Sequence, residues 1–148
     1  MTQFRAALVQ TTASRSVEAN IAAVEALVRE AAAAGAHYVQ TPETTNIMEH
    51  NGDRLFAALT DEAAAPTLAR LRAVAAELGI WLHTGSLAIK VAEAKAANRA
   101  FVIAPDGSVA ARYDKIHLFD VDLVGGESCR ESNRIRPGAE SVTVDLPW

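Results

Sequence analysis

The sequence predicts an α/β fold built on a mixed sheet, and three observations carry that expectation. Short apolar runs alternate with segments of helical periodicity as far as Leu87. Two strand-like segments then flank the turn Pro105-Asp106-Gly107-Ser108, which marks an antiparallel hairpin. Half of the 148 residues are hydrophobic and only five are Pro, so the chain can bury a core of its own.

Taken in order, Phe4 to Gln10 is the first strand, an apolar run bounded by the polar cluster Thr11 to Ser16 and expected to be buried on both faces. Ser16 serves as the N-cap of a helix in which Val17, Ile21, Val24 and Leu27 or Val28 recur at helical spacing; Glu18 lies in its first turn and Gly35 stops it. His37 to Thr41 is the second strand, and strand, helix and strand in this order imply a right-handed βαβ unit with a parallel pair. Pro66 opens a second helix with the stripe Leu68, Leu71, Val74 and Leu78, and Gly79 ends it before the strand Ile80 to Leu87. The hairpin comprises Phe101 to Ala104 and the alternating Val109, Ala111 and Tyr113. Lys90 to Ala97 is expected as an exposed connection and Val142 to Leu146 as a last strand. No repeat or linker divides the chain, so residues 1–148 are expected to form one domain.

The charge balance excludes several function classes. Eighteen acidic and 14 basic residues give a net charge of −4 without a run of like charge, so neither nucleic acid nor an anionic membrane surface is an expected partner. No signal-peptide pattern opens the chain, and no apolar stretch approaches the roughly 20 residues that cross a bilayer. A single cysteine, Cys129, allows no internal disulfide and suits a reducing compartment, so a cytoplasmic location is expected. The four histidines, His37, His50, His83 and His117, lack ligand spacing, and no metal site is expected. Thr11-Thr12-Ala13-Ser14 stands where a nucleotide-binding domain would carry a glycine-rich loop, which weakens that reading.

Chemistry is concentrated in three segments: Thr41-Pro42-Glu43-Thr44-Thr45-Asn46, Arg112-Tyr113-Asp114-Lys115-Ile116-His117-Leu118-Phe119-Asp120, and Gly125-Gly126-Glu127-Ser128-Cys129-Arg130-Glu131-Ser132. Glu43 directly follows a strand, and in open α/β sheets ligands bind beyond the carboxyl ends of strands. Lys115 follows a hairpin strand inside an aromatic and apolar run, a setting for a partly buried ammonium. In this order, with Val9-Gln10 and the Arg136-Pro137-Gly138 loop, the segments resemble the nitrilase superfamily of carbon-nitrogen hydrolases, and within it the Nit-type amidases.

The resemblance covers the whole chain and implies the N-terminal half of an α-β-β-α sandwich, a mixed sheet with helices on one face. It also implies a Glu, Lys, Cys catalytic set that needs no metal or organic cofactor. The family's general base falls on Glu43 and its lysine on Lys115; a second, substrate-side glutamate falls on Glu131, with Glu127 the competing alignment. Small-molecule amides are the implied substrates, and dimers or larger homo-oligomers, or a complementary chain, the implied partners.

Such chemistry needs these residue types. A thiol of ordinary pKa, about 8.5, is mostly protonated at neutral pH, so a carboxylate must take its proton as it attacks a carbonyl carbon. A fixed ammonium then stabilises the oxyanion that forms. By the same resemblance Cys129 is not the nucleophile, and its Gly-Gly-Glu-Ser approach reads as a loop. The nucleophilic cysteine is expected beyond Trp148, and the 148 residues alone are expected to be inactive. A non-catalytic module that keeps the first half of the fold as a partner subunit is the alternative.

Overall fold

The computed structural model describes residues 3–148. Strands β1 (Ala6–Leu8), β2 (Tyr38–Thr41), β3 (Trp81–Ala92), β4 (Lys95–Ile103) and β5 (Val109–Asp114) form one mixed sheet in that spatial order. The first three strands run parallel, and the β3–β4–β5 meander is antiparallel. Helix α1 (Val17–Ala33) joins β1 to β2, while α2 (Gly52–Ala58) and α3 (Pro66–Leu78) lie between β2 and β3. After β5 come a two-stranded ribbon, β6 (Asp120–Asp122) with β7 (Ser128–Arg130), and a single 3-10 turn at Glu131–Asn133.

Local signals account for the helix limits. Ser16 Oγ accepts the Ala19 amide at 3.2 Å and caps α1. Its far end closes as a Schellman motif: Gly35, at φ 83°, donates to the Ala32 carbonyl and Ala36 to that of Ala31. Pro66 opens α3 and Gly79, at φ 65°, ends it. The apolar stripes of α1 (Val24, Val28) and α3 (Leu68, Leu71, Val74) close over Val39, Leu82, Leu87, Ile89, Phe101 and Ile103 of the sheet. At roughly 1.5–3 kcal/mol for each large apolar side chain buried, this one-sided core is the main source of cohesion. A second cluster sets Leu55 and Phe56 of α2 against Ala88 and Ala96 of the β3–β4 hairpin, on residues that alternate with Leu87, Ile89 and Ala97.

Four expectations are corrected. The first strand is shorter than Phe4 to Gln10 and is not buried on both faces: it is the sheet edge, and Leu8 is 78% exposed. Lys90 to Ala97 is no exposed connection, because β3 and β4 extend through it as a tight hairpin that buries Ala96 and Ala97. Ala96 lies in the cluster against which Leu55 and Phe56 of α2 pack. Val142 to Leu146 forms no strand; Val142, Val144 and Leu146 alternate onto the open face of the sheet beside Tyr38, His83, Val102 and Tyr113. Val144 and Leu146 are half-buried between exposed neighbours while Val142 is 44% exposed, and among the described residues no strand receives the backbone hydrogen bonds of this segment. Finally, Cys129 belongs to β7 and not to a loop, the turn before it running over 123–127 with Gly125 and Gly126 at positive φ.

Candidate active site

Glu43 stands two residues beyond β2, in a turn that is strapped to the neighbouring strand. Thr44 N donates to Ser86 Oγ at 2.9 Å, Thr45 N to the Ser86 carbonyl at 2.9 Å, and Ser86 N to the Pro42 carbonyl at 3.2 Å. Thr45 Oγ1 also donates to the Pro42 carbonyl at 2.6 Å. The strap holds Thr44 at φ 50°, a left-handed conformation that costs a non-glycine residue about 1 kcal/mol or more and is common at functional sites. Gly85 allows the approach: a Cβ there would lie 2.2 Å from the Thr41 carbonyl oxygen. The β3–β4 register shifts at the same place, between Thr84 and Leu87.

Lys115 follows β5 directly and is fixed through its backbone. Its amide donates to the Asn98 carbonyl at 2.9 Å, and its carbonyl accepts Gly138 N at 3.0 Å. A Cβ on Gly138 would meet the Asp114 carbonyl oxygen at 2.2 Å, so the Arg136-Pro137-Gly138 loop can brace the lysine only with glycine there. Glu131 begins the 3-10 turn after β7, and its Oε2 accepts the Phe119 amide at 2.6 Å.

These three side chains meet. Lys115 Nζ lies 3.1 Å from Glu43 Oε1 and 3.0 Å from Glu131 Oε2, so one ammonium sits between two carboxylates drawn from different parts of the chain. Glu131, and not the exposed Glu127 of the ribbon, is the glutamate that reaches the lysine. The Glu131 side chain is 16% exposed, that of Lys115 29% and that of Glu43 59%, so the group opens to one side at Glu43. Asn98, buried on β4, completes it by donating from Nδ2 to Glu43 Oε1 at 2.6 Å.

Burial alone would push the Glu43 carboxyl up, but the Asn98 amide and the Lys115 ammonium outweigh it and hold the group below its ordinary value. Burial likewise opposes the charge on Lys115, yet the hydrogen bonds to Glu131 and Glu43 hold its amine above the usual range. Both are charged at neutral pH. The arrangement therefore offers a carboxylate that can accept a proton beside a cation that can face a developing oxyanion. Among the described residues, no three His, Cys, Asp or Glu side chains are grouped to hold a metal ion, and no helix is long and apolar enough to cross a membrane.

Two participants escaped the sequence reading. Gly85 sits inside a strand pattern, where a glycine signals a bulge or a close backbone approach. Asn98, a polar residue among alanines just ahead of the hairpin, offered no signal of its own, because only the fold brings it to Glu43.

Comparison with known proteins gives a consistent setting. A family model described as carbon-nitrogen hydrolase matches residues 5–147. Omega-amidase NIT2 of Homo sapiens is 36% identical over 148 residues, covering 100% of this chain and 52% of that protein. The solved structure of the NitFhit protein of C. elegans superposes with a TM-score of 0.83 at 27% identity over 96% of this chain and 35% of that one. A mutant amidase of Nesterenkonia sp. AN1, carrying the Michael addition of acrylamide at its active-site cysteine, superposes with a TM-score of 0.79 at 26% identity over 99% of this chain and 54% of that one. The chain spans about half the length of the curated relatives it matches.

Proposed function

The chain belongs to the carbon-nitrogen hydrolase family, and from that membership we propose that it supplies the base and the ammonium of an amidase that cleaves the terminal amide of a small carboxylate-bearing metabolite through a thioester. The observation that carries the reading is the placement of Lys115 Nζ within hydrogen-bond distance of both Glu43 and Glu131. The similarity to omega-amidase NIT2 supports an amide as the substrate class. The thiol comes from a segment outside these residues: Cys129 is exposed on the ribbon, and an active-site cysteine belongs to the similar Nesterenkonia amidase.

The chemistry then runs as follows. Glu43, ionised across the neutral range, takes the thiol proton as sulfur bonds to the amide carbon. The carbonyl oxygen becomes an oxyanion facing Lys115, whose ammonium is held in place before the reaction begins. Collapse breaks the carbon–nitrogen bond, and the amine leaves as ammonia with the proton returned by Glu43. Water next attacks the thioester while Glu43 accepts its proton, the thiol is regenerated, and the carboxylic acid departs. Glu131 keeps the lysine aimed at this space. The single cysteine supports a cytoplasmic setting, and the edge strand β1 together with exposed Phe119, Leu123 and Val124 supports self-association into a homo-oligomer.

Ammonia release tests the reading. Joined to its thiol-bearing segment, the protein releases ammonia from small ω-amides such as α-ketoglutaramate, residues 1–148 alone release none, and Glu43→Gln lowers kcat/KM by about 10²–10⁴. Turnover by the isolated 148 residues that disappears in Glu43→Ala overturns the assignment of the thiol, and full activity in Glu43→Gln overturns that of the base.

A further inference from the structure

The two oxygens of Glu43 are not equivalent. Oε1 accepts both Asn98 Nδ2, at 2.6 Å, and Lys115 Nζ, at 3.1 Å, whereas Oε2 receives no hydrogen bond among the described residues. The donors differ in kind. Lys115 is shared with Glu131, whose Oε2 lies slightly nearer and whose side chain is far less exposed than that of Glu43. A cluster of two carboxylates and one ammonium leaves Glu43 short of positive partners. Asn98 gives it an unshared donor, neutral and short, from a buried residue on a central strand.

Asn98 also acts at a second point. Its carbonyl accepts the Lys115 amide at 2.9 Å, so one residue of β4 holds the carboxylate through its side chain and the lysine through its backbone. Its position on β4 is set by pairing with Ala88. Ala88 is gripped in turn by Asn46, which accepts the Ala88 amide at 2.8 Å and donates to its carbonyl at 2.9 Å. Asn46 lies three residues after Glu43, so the turn that carries the carboxylate is tied through β3 to the strand that orients it.

We propose that Asn98 is a positioning residue for the general base: it pins Glu43 by Oε1, favours the ionised carboxylate, and leaves Oε2 as the oxygen that takes the proton. This rests on the reading of Glu43 as the base. A neutral amide stabilises a carboxylate more than a carboxylic acid, so its loss weakens the charged form selectively. A residue that merely filled space would leave the titration of its neighbour where it is.

The test is a carbon-13 NMR titration of the Glu43 carboxyl, run beside the pH profile of kcat/KM, in the full protein with and without substitution at position 98. Asn98→Ala is expected to raise the Glu43 pKa by about one pH unit, a tenfold gain in proton affinity, and to move the acidic limb of kcat/KM by the same amount while KM changes little. Asn98→Leu keeps the volume of the buried side chain but offers no donor, so it is expected to raise that pKa in the same way. It also serves if the alanine variant does not fold. Titration curves of both variants that superimpose on the wild type, or rates that fall equally at every pH, overturn the proposal. A shifted titration in a protein that hydrolyses no amide upholds the Asn98 contact and removes the amidase reading instead.

Discussion

The backbone of Glu43 is held by strand β3, while Asn98 and Lys115 hold its side chain. The turn that carries it is pinned to Ser86 by three hydrogen bonds, and the pinning requires Gly85, where a Cβ would lie 2.2 Å from the Thr41 carbonyl and 2.6 Å from Pro42. Both neighbours are backbone atoms that cannot swing aside. Gly85→Ala is therefore expected to destabilise the fold by about 1–3 kcal/mol through overpacking, read in denaturant unfolding, and to lower kcat more than KM because the carboxylate is displaced. An unchanged unfolding midpoint would show that the turn does not press on β3. Glu43 and Lys115 could be proposed from sequence because each follows a predicted strand within a recognisable motif. Asn98 could not, since its role depends on a partner 55 residues away that only the sheet brings near.

At the level of elements, α1 and α3 are joined by more than their apolar stripes. Glu25 on α1 accepts from Arg70 of α3 and from Arg29 of its own helix, and Arg29 forks onto Glu77. The Arg70 hydrogen bonds, then those of Arg29, hold the Glu25 carboxyl down at about 2 from an ordinary 4.5. A carboxyl depressed in the folded state contributes stability that is complete above its unfolded value and is lost as pH falls from about 4.5 towards 2. Unfolding midpoints are thus expected to decline across that interval and to flatten there in Glu25→Gln; equal slopes in the two proteins would show that the cluster is too well solvated to matter. The same scale shows what periodicity can convey. The stripes of α1 and α3 and the 105–108 turn were legible because burial on one face leaves a repeating signature. The short α2, the small ribbon and the Lys90–Ala97 hairpin were not, because three-residue strands and alanine-rich turns leave almost none.

Across the whole molecule, the sheet carries helices α1 and α3 on one face, and Val142, Val144 and Leu146 lie along part of the other. The catalytic candidates sit where strands β2 and β5 end, joined through β4, so the sheet itself sets the distance between base and ammonium. If Glu43 and Lys115 serve one transition state, their losses must not multiply. A double-mutant cycle on ammonia release by the complete protein measures this directly. The predicted result is a large loss in Glu43→Gln, a large loss in Lys115→Met, and a double variant scarcely worse than the poorer single one. Independent losses that multiply, or a Lys115→Met enzyme as active as the wild type, would contradict a shared role for the two side chains.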